Sequence, residues 1–467
     1  MNHSSMPMID ALQKHIQKDP VSFHVPGHKN GLLASWTDLS LDVTELTGLD
    51  DLHAPESCIK QAETLLADVY DAHESKFLVN GSTVGNLAMI LGTISIGDTV
   101  LVQRNCHKSI LNALKMAEAY PVFLQPKMDD RTKTAVLMSA DTLTQAFKAY
   151  PESKVVIFTY PTYYGMTGSF QELAAIARSH GALVLVDEAH GAHLSAQVIP
   201  QVKSALQMGA DLVVQSAHKM LPAMTMGAFL HIQSEDIDRE RIHFYLQALQ
   251  SSSPSYPIMA SLDFARSYLA LYSQADYAYA LKVKRNIVQL LQSKGLVCLS
   301  VDDPFKLLVR ANGLTGFGLQ ALLEEKGVYA ELADPYQVLL IFPLLKEGEA
   351  SFEQKLAEKL FSFVLPDDRL AVPFLDVPPS DRVTVLSLPY NEHKQHQKEA
   401  VSFTEAVGSI AAEMIIPYPP GIPLVMEGEC LSDAHIQAIQ WLQENGARFH
   451  GGHQLTEQKI VVFRKEN

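Results

Sequence analysis

The chain has 467 residues, 47% hydrophobic, 19% charged and 8% aromatic, with 25 glycines and 24 prolines. This ordinary globular composition excludes collagen-like, disordered and disulfide-scaffold proteins, and at roughly 150 residues per domain it points to two to four domains. The 37 Lys and Arg against 52 Asp and Glu leave a net charge of −15, which disfavours nucleic acid and anionic membranes as partners and suits cationic small molecules better.

Ile9 to Lys18 are spaced as a short amphipathic helix, and the N-terminus has no unbroken apolar stretch of the kind a signal peptide needs. Pro26 and Gly27 bar a helix in FHVPGHKNG (Phe23–Gly31), so residues 1–54 read as an N-terminal arm. From Pro55 to Ala72, Ile59, Ala62, Leu65, Leu66, Val69 and Tyr70 recur at helical spacing. Seven short apolar runs follow, at 76–80, 98–103, 120–125, 154–160, 182–188, 211–216 and 227–232. Between most of them lie amphipathic segments: Thr83–Leu91, Ser109–Ala117, Asp141–Tyr150 and Ser169–His180. Strands apolar throughout and alternating with helices predict a large α/β domain over 55–295, its mostly parallel seven-stranded sheet covered by helices.

Helical sequence continues to about Ser293, broken by the polar loop Ser251–Ser255. The runs VCLSV, FKLLV, QVLLIF and TVLSL then predict a smaller α+β region: one unit over 296–378, ending in the proline-rich connector Leu365–Ser380, and a last one over 379–467. No run of about 18 apolar residues is present to span a membrane. Cys58, Cys106, Cys298 and Cys430 are scattered and form no CxxC pair, which suits free thiols in a reducing compartment. A cytoplasmic location is expected.

In an open parallel sheet, ligands bind beyond the C-terminal ends of the strands. Five polar clusters follow strands at that end: Gly81-Ser82-Thr83, Asn105 to Lys108, Thr159 to Gly165, Asp187 to His190, and Ser216 to Lys219. Gly81-Ser82-Thr83, between a strand and a helix, reads either as a phosphate cradle or as a Ser/Thr helix cap. Walker-type and G-x-G-x-x-G loops are lacking, and no G-x-S-x-G elbow supports serine-hydrolase chemistry.

Asp187 ends the apolar strand ALVLVD, where a carboxylate is costly unless a cation or donors meet it. Lys219 follows the next strand, about one βαβ unit on. An acid facing a ring nitrogen and a lysine forming an imine are what pyridoxal phosphate enzymes need. His107 either lies over such a ring or caps a helix. His190 and His193 have metal-like spacing, as do His24 and His28, but Pro26 and Gly27 break the second pair and nothing completes a zinc set, so no metal is expected. His393 and His396, in the charged stretch NEHKQHQK, read as solvated.

SAHKMLPAMTMG (216–227) resembles the cofactor-lysine segment of the short bacterial ornithine/lysine/arginine decarboxylases, of the aspartate-aminotransferase fold type. The likeness runs through HVPGHKNG, DDLHAPES, NGSTVGN, RNCHKS, PTYYG, VDEAHGAH, SSSPSY and PYPPGIPL, covering about His24 to Glu429. It implies that Lys219 carries pyridoxal 5'-phosphate, that Asp187 pairs with the pyridine nitrogen and that His107 stacks on the ring. His190 would lie near the ring, Thr162 near the phenolic oxygen, and Ser82, Thr83, Ser216 and His218 at the phosphate. A basic amino acid would lose CO2 through an external aldimine and a quinonoid. The resemblance further implies a homodimer with shared active sites, to which the arm with His24 and His28 and the loop residues Ser252 and Ser253 contribute. Glu427, Glu429 and Asp50 are candidates for the substrate's distal cation. Met224 and Met226 depart from the more polar residues expected there, which puts the pocket wall in question. Competing readings are another reaction on the same cofactor, such as transamination, with Arg369 or Arg382 on the substrate carboxylate, or an aldolase-type cleavage, and a non-catalytic ligand-binding relative.

Overall fold

The computed structural model describes residues 21–23, 29, 50–196, 198–366, 382–418 and 421–464. The expected helix at Ile9–Lys18, His24 and His28, Arg369 and most of the proline-rich connector lie outside the described residues.

All seven expected strands form: β1 Glu74–Leu78, β2 Thr99–Gln103, β3 Tyr120–Leu124, β4 Val155–Thr159, β5 Leu183–Asp187, β6 Leu212–Gln215 and β7 Ala228–Ile232. An eighth, β8 (Val383–Val385), completes one sheet in the order β8-β3-β2-β4-β5-β6-β7-β1. Strands β3, β2, β4, β5 and β6 are parallel, whereas β7 is antiparallel to both neighbours. The C-terminal ends of β1, β2, β4, β5 and β6 therefore share one rim.

Strand β8 is a departure from the expected seven strands. The TVLSL run groups by position with the C-terminal strands, yet it pairs antiparallel with β3, Val383 opposite Leu124 and Val385 opposite Val122. A three-residue strand carries no periodicity that says which edge it will join.

The apolar strands are buried on both faces. Val184 and Val186 point into one core layer and Leu185 into the other, as the two-residue period of a strand requires. The helix Gly81–Thr93 lies close on the second face. A Cβ on Gly85 would come within 2.6 Å of Leu78 Cδ1 and Val214 Cγ1, so only glycine lets the helix press down there. That contact holds the helix N-terminus, with Ser82 and Thr83, at the rim.

The long helix Gln274–Ser293, opened by a capping box of Ser273 and Asp276, leads to an antiparallel four-stranded sheet of Leu332–Ala333, Val338–Ile341, Lys306–Arg310 and Val297–Ser300. Val21–Phe23 pairs parallel with Val328–Ala330 beside it. A three-stranded sheet (Lys398–Ser402, Lys459–Phe463, Ile410–Ala411) and the helix Asp433–Glu444 follow toward the C-terminus. No described helix is long and apolar enough to cross a membrane.

Candidate active site

Five loops leave the shared rim, and each sends a side chain to one cavity: Ser82 after β1, His107 after β2, Tyr163 after β4, Asp187 and His190 at the end of β5, and Lys219 after β6. Gly421 and Ile422 from the C-terminal region close it.

Asp187 is 2% exposed. Its Oδ2 accepts from Asn86 Nδ2 at 3.0 Å and its Oδ1 from the Ala189 N–H at 3.1 Å. Burial pushes the carboxyl pKa up, while the Lys219 ammonium and the Asn86 bond pull it back. Lys219 keeps part of its surface open to the cavity. Burial lowers its pKa, while Asp187 and Glu331 act the other way. Its Nζ meets His190 Nε2 at 3.0 Å.

His107 caps the helix Lys108–Met116: its Nδ1 accepts from the Ser109 N–H at 3.2 Å and lies 2.8 Å from Ser109 Oγ. Both sequence readings of His107 are therefore compatible, since one ring edge caps while the residue lines the cavity. Burial and the Lys219 and Lys108 charges push its pKa down to about 4, leaving a neutral, flat ring at neutral pH. Ser109 Oγ accepts from Asn86 Nδ2 at 2.9 Å, so Asn86 and Ser109 link Asp187 to His107. The sequence reading missed both. Their one signal was an Asn inside an otherwise apolar helix.

Two of the groups lining the cavity, His190 Nδ1 and Thr159 Oγ1, are buried with no hydrogen-bond partner among the described residues, a situation that costs roughly 1–3 kcal/mol per group unless a partner answers it. Gly81 has φ +78° and open space where a Cβ would be, and Ser216 Oγ donates to Ser82 Oγ at 2.7 Å beside that helix start. An acid, an amine, a flat neutral ring and an anion-binding helix start fit pyridoxal phosphate.

A family model described as "Orn/Lys/Arg decarboxylase, major domain" matches residues 6–294, and its C-terminal-domain companion matches 382–454. The chain belongs to the Orn/Lys/Arg decarboxylase family. Among curated relatives, "Uncharacterized protein YaaO" of Bacillus subtilis is 43% identical over 98% of this chain and 99% of its own length. Arginine decarboxylase of the same organism is 29% identical over 100% of this chain and 99% of that one. The solved structure of Escherichia coli constitutive lysine decarboxylase superposes with a TM-score of 0.72 at 21% identity, covering 98% of this chain and 82% of that one. This likeness establishes the aminotransferase-type fold.

Several residues expected at the site of this decarboxylase-family chain do not line this cavity. Thr162 is buried with its Oγ1 accepting from the Met166 N–H at 3.2 Å, closing a turn; the threonine that lines the cavity here is Thr159, the last residue of β4. Thr83 is exposed, and His218 Nδ1 donates to the Gly227 carbonyl at 3.0 Å. Neither lines the cavity, nor do Ser252 and Ser253, which are exposed ahead of the helix Tyr256–Ala270. Met224 and Met226 are 38% and 44% exposed and form no part of its wall. Arg382 is exposed beside β8, also off the wall.

The three acids suggested for the substrate's distal cation are committed within the chain. Asp50 accepts the backbone N–H groups of Glu56, Ser57 and Ile59 at 2.8–3.0 Å, anchoring the approach to the helix Cys58–Tyr70. Glu427 pairs with Lys115 at 2.5 Å and Lys398 at 3.0 Å. Burial pushes its carboxyl up, but bonds from His393, Lys115 and Lys398 outweigh this and bring it down to about 2. His393 is accordingly buried rather than solvated, its Nε2 donating to the Leu388 carbonyl at 3.0 Å.

Glu429 takes the guanidinium of Arg104 on both carboxylate oxygens, at 3.0 and 3.2 Å. Arg104 also donates to the carbonyls of Pro423 and Leu424, at 3.0 and 3.1 Å. One residue, three positions before His107, thus grips the segment whose Gly421 and Ile422 close the cavity. Arg104→Met should raise KM about fivefold or more by loosening that wall, and lower the urea midpoint because Glu429 loses its partner in a largely buried site. Steady-state kinetics and urea unfolding read the two effects. An unchanged KM would show that the clamp has no bearing on the site.

Proposed function

We propose that this chain is a pyridoxal phosphate-dependent decarboxylase of a basic amino acid, with arginine as the leading substrate, lysine second and ornithine third. The carrying observation is that Asp187, at the end of β5, and Lys219, just after β6, line one cavity with the neutral ring of His107. Arginine leads because four curated relatives bearing that name are 27–29% identical over 92–100% of this chain, against 23% for those named lysine decarboxylase.

Bound through Lys219, pyridoxal phosphate would supply the sink for the electron pair left as CO2 departs. Burial favours the neutral, nucleophilic amine of Lys219. Asp187 is the group to hold the proton on the ring nitrogen, and Asn86 and Ala189 keep its carboxylate aimed. His107 would lie against the ring, and Gly81, Ser82 and Ser216 would receive the phosphate. Pro161 and Ile422 give the cavity apolar wall; a substrate carboxylate placed against it would be desolvated, which favours its loss as neutral CO2. Lys219 and His190, in contact, are the pair to return a proton to Cα, a step that typically contributes about 10²–10⁴-fold.

The homodimer with shared sites belongs to this proposal, with His24, His28, Ser252 and Ser253 reaching a partner's cavity, as does a cytoplasmic setting. The purified protein, loaded with pyridoxal phosphate and offered arginine, lysine and ornithine together, should release CO2 and the amine corresponding to one of them, detected by mass spectrometry. An oxo acid without CO2 would make it an aminotransferase instead, and no product from any of the three would favour a ligand-binding role.

A further inference from the structure

A second group of buried charges stands beside the cavity, and the reaction described above makes no use of it. His193 Nε2 lies 3.1 Å from Asp303 Oδ1, Lys306 Nζ lies 3.8 Å from Asp303 Oδ2, and all three side chains have no accessible surface. Asp303 and Lys306 come from the four-stranded sheet region and His193 from the loop after β5. Lys306 Nζ also donates to the carbonyl oxygen of Tyr163 at 3.1 Å.

At its other end the same tyrosine donates its hydroxyl to Glu331 Oε1 at 2.5 Å. Glu331 sits between the strands Val328–Ala330 and Leu332–Ala333. The Tyr163 ring packs 4.1 Å from that of His190, tilted by 48°, and its centroid is 5.5 Å from Lys219 Nζ. Neither Lys306 nor Glu331 lines the cavity, whereas Tyr163 does.

We propose that Lys306 and Glu331 are positioning residues which hold Tyr163 from its two ends, so that the four-stranded sheet region sets the wall against which Lys219 and His190 work. The inference rests on reading Lys219 as the cofactor lysine. The Lys306 ammonium is buried and costly to keep there; besides pairing with Asp303 it is aimed at the Tyr163 carbonyl, and the partly buried Glu331 takes the hydroxyl of the same residue. Glu331 restrains the ring through its hydroxyl and Lys306 fixes the backbone that carries it; with either bond lost, the ring could shift and His190 would lose the surface it packs on.

Lys219 faces Asp187 at the end of β5, His190 in the loop after it, His107 after β2 and Tyr163 after β4, and it feels Glu331 and Lys306 from the four-stranded region. His218 adjoins it in the chain and acts on His190. Burial lowers the Lys306 pKa to about 8, with Asp303 and Glu331 raising it and Lys219 lowering it. The two positioning residues therefore carry opposite charges toward Lys219.

The test uses the cofactor-loaded enzyme without substrate and follows its visible absorbance band against pH. Lys306→Met removes a cation, so the midpoint should rise by about one pH unit, and Lys306→Arg should restore it. Glu331→Gln removes an anion, so the midpoint should fall by about one unit. In turnover, Lys306→Met should lower kcat about tenfold in the wild-type background and less than about twofold once Tyr163→Ala has removed the ring. Midpoints that stay put or move in the same direction, or equal kcat losses in both backgrounds, would overturn the proposal.

Should Lys306→Met not fold, Glu331→Gln and Tyr163→Phe decide alone. Each should lower kcat by a similar factor, and the pair together by little more than either; additive losses would refute the clamp. A wild-type enzyme with no visible band would sink the cofactor reading itself, whereas a normal band with unshifted variants would sink only this inference.

Discussion

Lys219→Ala is expected to abolish decarboxylation, by roughly 10⁴-fold or more in kcat, equivalent to about 5 kcal/mol or more of barrier. The side chain is the amine of the cavity wall, its Nζ in contact with His190. Alanine leaves neither a nucleophile for the cofactor aldehyde nor a base in that position. The same variant should lose the visible band near about 420 nm, the region of a protonated imine of this cofactor. Absorbance of the loaded protein and CO2 release measure the two losses independently. A band that survives would move the linkage to another lysine, and Lys306, whose pKa burial brings down to about 8, would be examined next.

The second large effect is expected at Asp187, where Asp187→Asn should cost roughly 10³-fold in kcat with KM little changed. The asparagine keeps the volume and removes the charge. It can no longer hold a proton on a ring nitrogen, so the loss falls on the step in which electrons leave the carboxylate, not on substrate binding. The sign of a second effect is also set. Asp187 raises the Lys219 pKa, so its removal should shift the pH midpoint of the visible band downward. A kcat within tenfold of wild type would refute the assignment. Steady-state kinetics with the same pH titration supply both readouts.

These two residues were legible from the sequence for a simple reason. Asp187 closes a strand apolar on both faces, and Lys219 follows the next strand but for a few residues, so strand direction alone brings both to one rim. The same logic placed Ser82, His107 and His190. It did not separate Thr162, in the loop after β4, from Thr159 at the end of that strand, because which threonine lines the cavity depends on the turn closed between Thr162 and Met166. Nor did it show that Glu427 and Glu429 are held by Lys115, Lys398 and Arg104, since those partners are brought in from distant parts of the chain.

By itself the sequence determined the seven strands, their covering helices and the five loops that meet at the rim, because hydrophobic period and short connections are local properties of the chain. Only the tertiary structure decided the partners across long sequence separations. Asn86 reaches Asp187, Tyr163 is held by Lys306 and Glu331, Arg104 grips residues 423 and 424, and Val383–Val385 joins the far edge of the sheet. Each pairs groups from 101 to 320 positions apart, or closes a sheet edge. Nothing in local spacing encodes such a pairing; it comes from how the packed layers are brought together.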